Sequence, residues 1–181
     1  MERVQGRPAS GSEREERELR TYDFLDRLGI SYERVDHTPA DTMEDCIAVD
    51  EALGTKMCKN LFLCNRQKTD FYLLMMPADK PFRTKELSAQ IGSARLSFAE
   101  ASFMEQYLCI RPGAVSVLGL MNDTDREVRL LIDEDLLSED AIGCHPCVNT
   151  SSLRIATRDL LEIFLPATHH TYSTVHLVGI E

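Results

Sequence analysis

The sequence predicts an α/β fold of the mixed α+β kind: a mixed, largely antiparallel sheet surrounded by helices. Two apolar stretches, KNLFLC at 59–64 and DFYLLMM at 70–76, flank a short polar stretch in the manner of a hairpin. Along the rest of the chain, segments of helical periodicity alternate with strand-like ones, so both hairpins and crossovers must connect the sheet. At 181 residues the chain is long enough to enclose one sizeable core and short for two.

Residues 1–12 (MERVQGRPASGS) are polar and rich in Gly, Pro and Ser, the composition of a disordered arm ahead of a single domain over 13–181. Leu19, Tyr22, Phe24, Leu25 and Leu28 place a helix over 13–28, with Gly29 as its stop. Residues 31–35 alternate as a short strand. Asp41 or Thr42 can cap a second helix that runs to Leu53 and ends at Gly54. The hairpin follows, with 65–69 as its loop, and then two helices over 84–90 and 98–108. The segment 111–122 opens on a Pro-Gly turn and becomes apolar, and 127–132 is a strand. Short extended pieces cover 143–145 and 152–156, Thr157 caps a helix to Leu165, and 174–178 closes the sheet.

No window approaches the roughly 20 consecutive apolar residues of a membrane span, and residues 1–20 lack the apolar stretch of a secretory signal, so a cytosolic protein is expected. Six cysteines without an export signal read as reduced thiols. A formal charge of -10 excludes a protein that coats nucleic acid by bulk charge. The distribution is polarised: residues 54–95 carry eight basic side chains against three acidic ones, and residues 121–140 carry eight acids against two arginines. One basic face toward an RNA end fits this pattern, as do two ordinary solvated surfaces.

Three places can carry chemistry. Lys59 and Asn60 open an apolar strand, where the ammonium either meets an anion such as phosphate or lies along the surface. The Arg111-Pro112-Gly113 turn can expose successive amides to an oxygen that becomes negative during acyl transfer, or it is a plain loop. Cys144-His145-Pro146-Cys147 admits a redox dithiol, half of a zinc site or a pocket histidine. No second CxxC completes four zinc ligands, and the motif lies late in the chain rather than at the start of a helix. No nucleophile elbow, HExxH, Walker or GxGxxG pattern appears, which disfavours a covalent hydrolase.

Four pieces stand in order: KNLFL at 59–63, LSFAE at 96–100, RPGAVSVLGLMND at 111–123 and HPCVNTSSL at 145–153. In this order and spacing they resemble the YbaK/ProX family of aminoacyl-tRNA editing deacylases, and within it the prolyl-tRNA editing proteins. The likeness covers residues 19–177. It implies a mixed sheet surrounded by helices, hydrolysis of the ester of mischarged tRNA(Pro), above all Ala-tRNA(Pro), and no metal or cofactor. Lys59 then matches the lysine that anchors the phosphate of the terminal adenosine, with the family's asparagine at Asn60. Gly113, Ala114, Val115 and Ser116 match the catalytic loop around the acyl carbonyl, and His145 matches the histidine bordering the amino-acid pocket. Leu63, Val117, Asn149 and Thr150 are the further residues expected against substrate. Val117 stands where the family loop carries proline, which bears on the rigidity of that turn.

The partner implied is the 3′ end of the mischarged tRNA. The resemblance admits a weak contact with prolyl-tRNA synthetase, involves no membrane, and leaves the oligomeric state open. Its logic follows from discrimination limits: a site built for proline rejects a smaller amino acid poorly, because each lost methylene contributes only about 1–3 kcal/mol. Two readings from other classes stay open on the residues, a thiol-disulfide protein using Cys144 and Cys147, and a non-catalytic tRNA-binding regulatory module.

Overall fold

The computed structural model describes residues 1–10 and 13–179. Among them the strands form two sheets. The first is antiparallel and runs in the order β1 (Arg3–Gln5), β2 (Tyr32–Asp36), β8 (Ser151–Ala156) and β7 (Ala141–Cys144). In the second, β5 (Ser97–Phe98), β3 (Cys58–Cys64) and β4 (Phe71–Pro77) pair antiparallel, and β6 (Val128–Asp133) and β9 (Tyr172–Val175) add parallel to β4. The expected hairpin is β3–β4, its loop held by the Asn65 side chain, which accepts the amides of Thr69 and Asp70 at 2.9 and 3.1 Å. The two sheets meet at a bridge between Met57 and Gly143. A Cβ on Gly143 would lie 2.7 Å from the Lys56 carbonyl oxygen, so this close approach requires glycine.

Helices cover the sheets: α1 (Glu16–Arg27), α2 (Met43–Leu53), α3 (Thr84–Ile91), α4 (Ala101–Leu108) and α5 (Glu134–Leu137), with a 3-10 helix at Val117–Asn122. Thr42 caps α2 and Asp45 reciprocates, which satisfies two orphan donors at that end. The last helical stretch comprises α6 (Thr157–Asp159), a π turn at Leu160–Phe164 and α7 (Leu165–Thr168). Pro166 has no N–H to continue the regular ladder, and the wider turn precedes it. No helix among the described residues is long and apolar enough to cross a membrane.

Two expectations are corrected. The N-terminal arm is not wholly disordered: residues 3–5 pair with β2, the Arg3 guanidinium donates to the Leu53 carbonyl at 2.8 Å, and Arg7 meets Asp23 at 2.7 Å. Arginine side chains and a free sheet edge 30 residues away in sequence order the segment, and composition does not register either. Residues 11 and 12 of that arm lie outside the described residues. The helix expected over 98–108 begins only at Ala101, because Ser97 and Phe98 pair with Cys64 and Leu63 of β3.

Alternation along β3 and β4 divides the core. Phe62, Cys64, Phe71, Leu73 and Met75 face the larger cluster shared with the first sheet, α1 and α4. Leu61, Leu63, Tyr72, Leu74 and Met76 face a smaller cluster with Leu87 of α3, Leu96 and Leu177. The period of two therefore sends Cys58 and Asn60 to one side of β3 and Lys59, opposite Met76, to the other.

Buried Asp123, at the end of the 3-10 helix, accepts the Glu127 and Val128 amides at 3.0 and 2.9 Å and His170 Nε2 at 2.9 Å. Burial pushes this carboxyl up, but His170 and the two amides outweigh it and hold it below its ordinary value. Asp123→Ala is expected to destabilise the protein by about 3 kcal/mol, roughly 10 °C in Tm, by leaving the buried Val128 amide and His170 and the partly buried Glu127 amide without their acceptor. Because the folded value is depressed, the wild-type advantage is complete above the unfolded value of about 3.9 and is lost as pH falls through the folded one. Thermal melts of both proteins across that window check the sign.

Candidate active site

Two cavities adjoin where the loops after β2, before the 3-10 helix and between β7 and β8 meet. The smaller, about 210 Å³, is bounded by Val49, Met57, Cys58, Gly113 and His145. The larger, about 620 Å³, is polar and is lined by Arg14, Arg17, Asp36, Arg111, Ala114 and Thr150, among others. His37 and Asn149 line both. A small, mainly apolar chamber opening onto a larger charged one suits a ligand with a compact apolar end and a bulky polar remainder.

The two histidines are held by the backbone. His145 Nδ1 lies 2.9 Å from the Ser151 carbonyl, which can only accept, so the proton sits on Nδ1 and Nε2 keeps its lone pair. Burial lowers the His145 pKa and keeps the ring neutral, opposed by that carbonyl. His37 Nδ1 lies 2.7 Å from the Thr38 carbonyl, and its Nε2 lies 2.8 Å from the Ser152 hydroxyl. In this arrangement the hydroxyl donates to Nε2, which fixes the imidazole between the two chambers. The rings stand 6.4 Å apart.

The wall of the larger cavity is an ionic network. Arg14 bridges Glu18 at 2.8 Å and Asp36 at 3.0 Å, and Ser151 Oγ donates to Asp36 at 2.7 Å. Burial pushes the Asp36 carboxyl up, but hydrogen bonds from Arg14, Arg34 and Ser151 outweigh it and leave its pKa well below the carboxylate range. Arg111 reaches Glu15 at 2.7 Å and Arg17 reaches Glu105 at 3.1 Å, tying the Pro-Gly turn and α4 to the start of α1.

At the turn, Gly113 has φ +92°, a left-handed conformation that glycine adopts without strain. The Ala114 amide donates to the Arg111 carbonyl at 3.2 Å and closes the turn. Ala114 is buried against the larger cavity and Val115 packs on the main core. Ser116 is buried, and its hydroxyl accepts the Leu118 amide at 3.1 Å, which starts the 3-10 helix. Val117 is fully buried in the main core.

The structure thus brings Gly113, Ala114, His145, Asn149 and Thr150 together. Ser116 and Val117 form the support behind the loop instead of its surface. Leu63 is fully buried in the α3-side cluster and lines neither chamber. Lys59 also points to the α3 side, where its ammonium donates to the Lys80 carbonyl at 2.6 Å. Asn60 shares the pocket side with Cys58, donates to the Cys58 thiol at 3.2 Å, and leaves its buried Oδ1 without a partner among the described residues. Strand alternation explains the split, since adjacent residues 59 and 60 cannot share a face. His37, Met57 and Cys58 were missed. His37 had a weak signal, a histidine at a strand end two residues before a proline.

Cys144 and Cys147 are free and buried. Burial pushes both thiols up, Cys147 to about 11, the reverse of what a reactive dithiol needs. Among the described residues, no group of three or more His, Cys, Asp or Glu is placed to hold a metal ion.

The model of the aminoacyl-tRNA editing domain matches residues 37–163. Prolyl-tRNA editing protein ProX of Acetoanaerobium sticklandii is 32% identical over 153 residues, 84% of this chain and 93% of that one. The prolyl-tRNA synthetase associated domain-containing protein 1 of Danio rerio is 34% identical over 151 residues, 82% of this chain and 81% of its own. In fold, the chain is similar to a candidate trans-editing enzyme for prolyl tRNA synthetase, with TM-score 0.68 and 15% identity, covering 92% of this chain and 99% of that one. The matched span runs from His37, across β3 and the Gly113 turn, past His145 and Asn149, and so contains the whole boundary of the smaller chamber: the chain belongs to the aminoacyl-tRNA editing domain family.

Proposed function

We propose that this chain is a trans-editing hydrolase that deacylates mischarged tRNA(Pro), with Ala-tRNA(Pro) as its best substrate. The observation that carries the reading is the pair of joined chambers, one sized for a small aminoacyl group and one for a terminal nucleoside. The likeness to a prolyl-tRNA editing protein supports the choice of tRNA. The small chamber supports the choice of amino acid.

In this reading the acyl group enters between Cys58, Met57 and His145, and its carbonyl oxygen turns toward the Gly113 turn. Water attacks the ester carbon, and the amide presented at Gly113 receives the charge that develops on the oxygen. One such donor contributes about 3–4 kcal/mol. The bond to the ribose oxygen then breaks, with the proton passing to that oxygen, and free amino acid and deacylated tRNA leave. The neutral His145 Nε2 accepts a hydrogen bond from the substrate's amino group, which orients the ester. His37 and Asn149, at the junction, border the ribose, whose free hydroxyl helps to place the water. Because an aminoacyl ester is already activated, no side-chain nucleophile is required.

A deacylation time course with tRNA(Pro) charged with alanine, serine, cysteine or proline tests the reading. Alanine is expected to leave fastest and proline to remain. Faster loss of serine or cysteine would reject the amino acid while keeping the reaction. No loss of any of them would leave a binding module without catalysis.

A further inference from the structure

The α3 side of β3 carries a further cavity, sharing no lining residue with either chamber, of about 400 Å³ and lined by Thr84, Lys85, Ser88 and Arg95. Lys85 and Arg95 are exposed, and neither enters an ion pair among the described residues. In a chain with 30 acidic against 20 basic side chains, this leaves two neighbouring cations without a carboxylate among the described residues to neutralise them. The nearest acid in sequence, Glu86, is turned to the C-terminal segment, where it accepts the Val178 and Gly179 amides at 2.6 and 3.0 Å.

Close to these lining residues along the chain, two residues before Thr84 and three after Arg95, stands an aromatic pair. Phe98 is 61% exposed, and its ring meets Phe82 at 6.0 Å in an edge-on arrangement that holds it in place. Phe82 in turn packs on the α3-side cluster, on the same side of the sheet as Lys59 and its Lys80 contact. An arginine fork, a lysine point charge and an exposed ring are the parts that bind a phosphate backbone and stack an unpaired base.

We propose that Lys85, Arg95 and Phe98 form a docking surface for the acceptor arm of the tRNA, separate from the chambers that take the acylated end. The surface reads backbone and stacking, not sequence. The proposal rests on the reading of the chain as a tRNA deacylase, and it gives the +5 segment seen in the sequence its partner.

The test uses deacylated tRNA titrated by fluorescence anisotropy over about 50–200 mM salt, with thermal melts to confirm that each variant folds. In Lys85→Ala/Arg95→Ala the affinity is expected to fall about tenfold at the low-salt end, and the slope of log affinity against log salt to shrink by about 1.5, since two phosphate contacts are lost. Phe98→Ala is expected to weaken binding with the slope unchanged, because stacking releases no counterions. An unchanged slope and affinity in the double variant overturns the proposal. The readout needs no turnover, so failure of the wild-type protein to deacylate any aminoacyl-tRNA rejects the enzymatic reading by itself.

Discussion

Gly113→Val is expected to lower kcat for deacylation by about 100-fold or more, the cost of misplacing one oxyanion donor, in a protein that still folds. The reason is conformational. With φ at +92°, residue 113 occupies backbone space that a β-branched side chain cannot share without serious strain. Local room is not the obstacle, since a Cβ there would meet only Asn149 Nδ2 at an ordinary 3.6 Å. The turn would relax by rotating its peptide planes, and the amide would leave the small chamber. The support behind it, the Ser116 cap and buried Val117, would survive, so the melt should shift little. Gly113→Ala should fall between the two. Single-turnover rates with saturating enzyme separate this loss from weaker binding, and a wild-type rate in Gly113→Val would remove the turn from the mechanism.

Lys59→Ala is expected to reduce kcat/KM by about 10- to 100-fold, the range for losing a hydrogen bond to a charged phosphate. Its geometry shapes the form of that loss. The ammonium lies on the α3 side of β3, on the Lys80 carbonyl, and not in the chamber beside Gly113. The defect should therefore appear mainly as weaker tRNA binding, largest at low salt and with a shallower salt dependence than wild type, whereas the Gly113 defect should persist at saturating substrate. The aminoacyl end would pass the N-terminal end of β3, with phosphate on one side and ester on the other. A Lys59→Ala enzyme with normal kcat/KM would refute a phosphate role for this residue. One with normal binding but no turnover would mean that the ammonium swings into the chamber when substrate is present.

Local signals carried most of the elements. The β3–β4 hairpin, the Thr42 cap of α2 and the glycine that ends that helix depend on contacts within a few residues, and they form where periodicity and capping chemistry place them. The pieces that went astray depend on distant partners: β1 on the edge of β2, and β5 on β3. The same holds at the site. Gly113, His145 and Asn149, which line the smaller chamber, lie in the sequence pieces that carry the family resemblance, while Cys58, Met57 and His37 carry no motif and enter only because sheet and loop converge.

Residue type and order alone determined the family, the mixed α/β architecture and the glycine turn, because these rest on short-range geometry and on pieces that recur in sequence. Only the tertiary structure decided which side of β3 each neighbour faces. A strand alternates its side chains at every residue, so KNLFL reads as one motif yet splits into two surfaces, with Asn60 toward the Gly113 side and Lys59 and Leu63 toward α3. What lies beyond each surface is set by how the two sheets meet at Gly143, a contact between segments more than 80 residues apart.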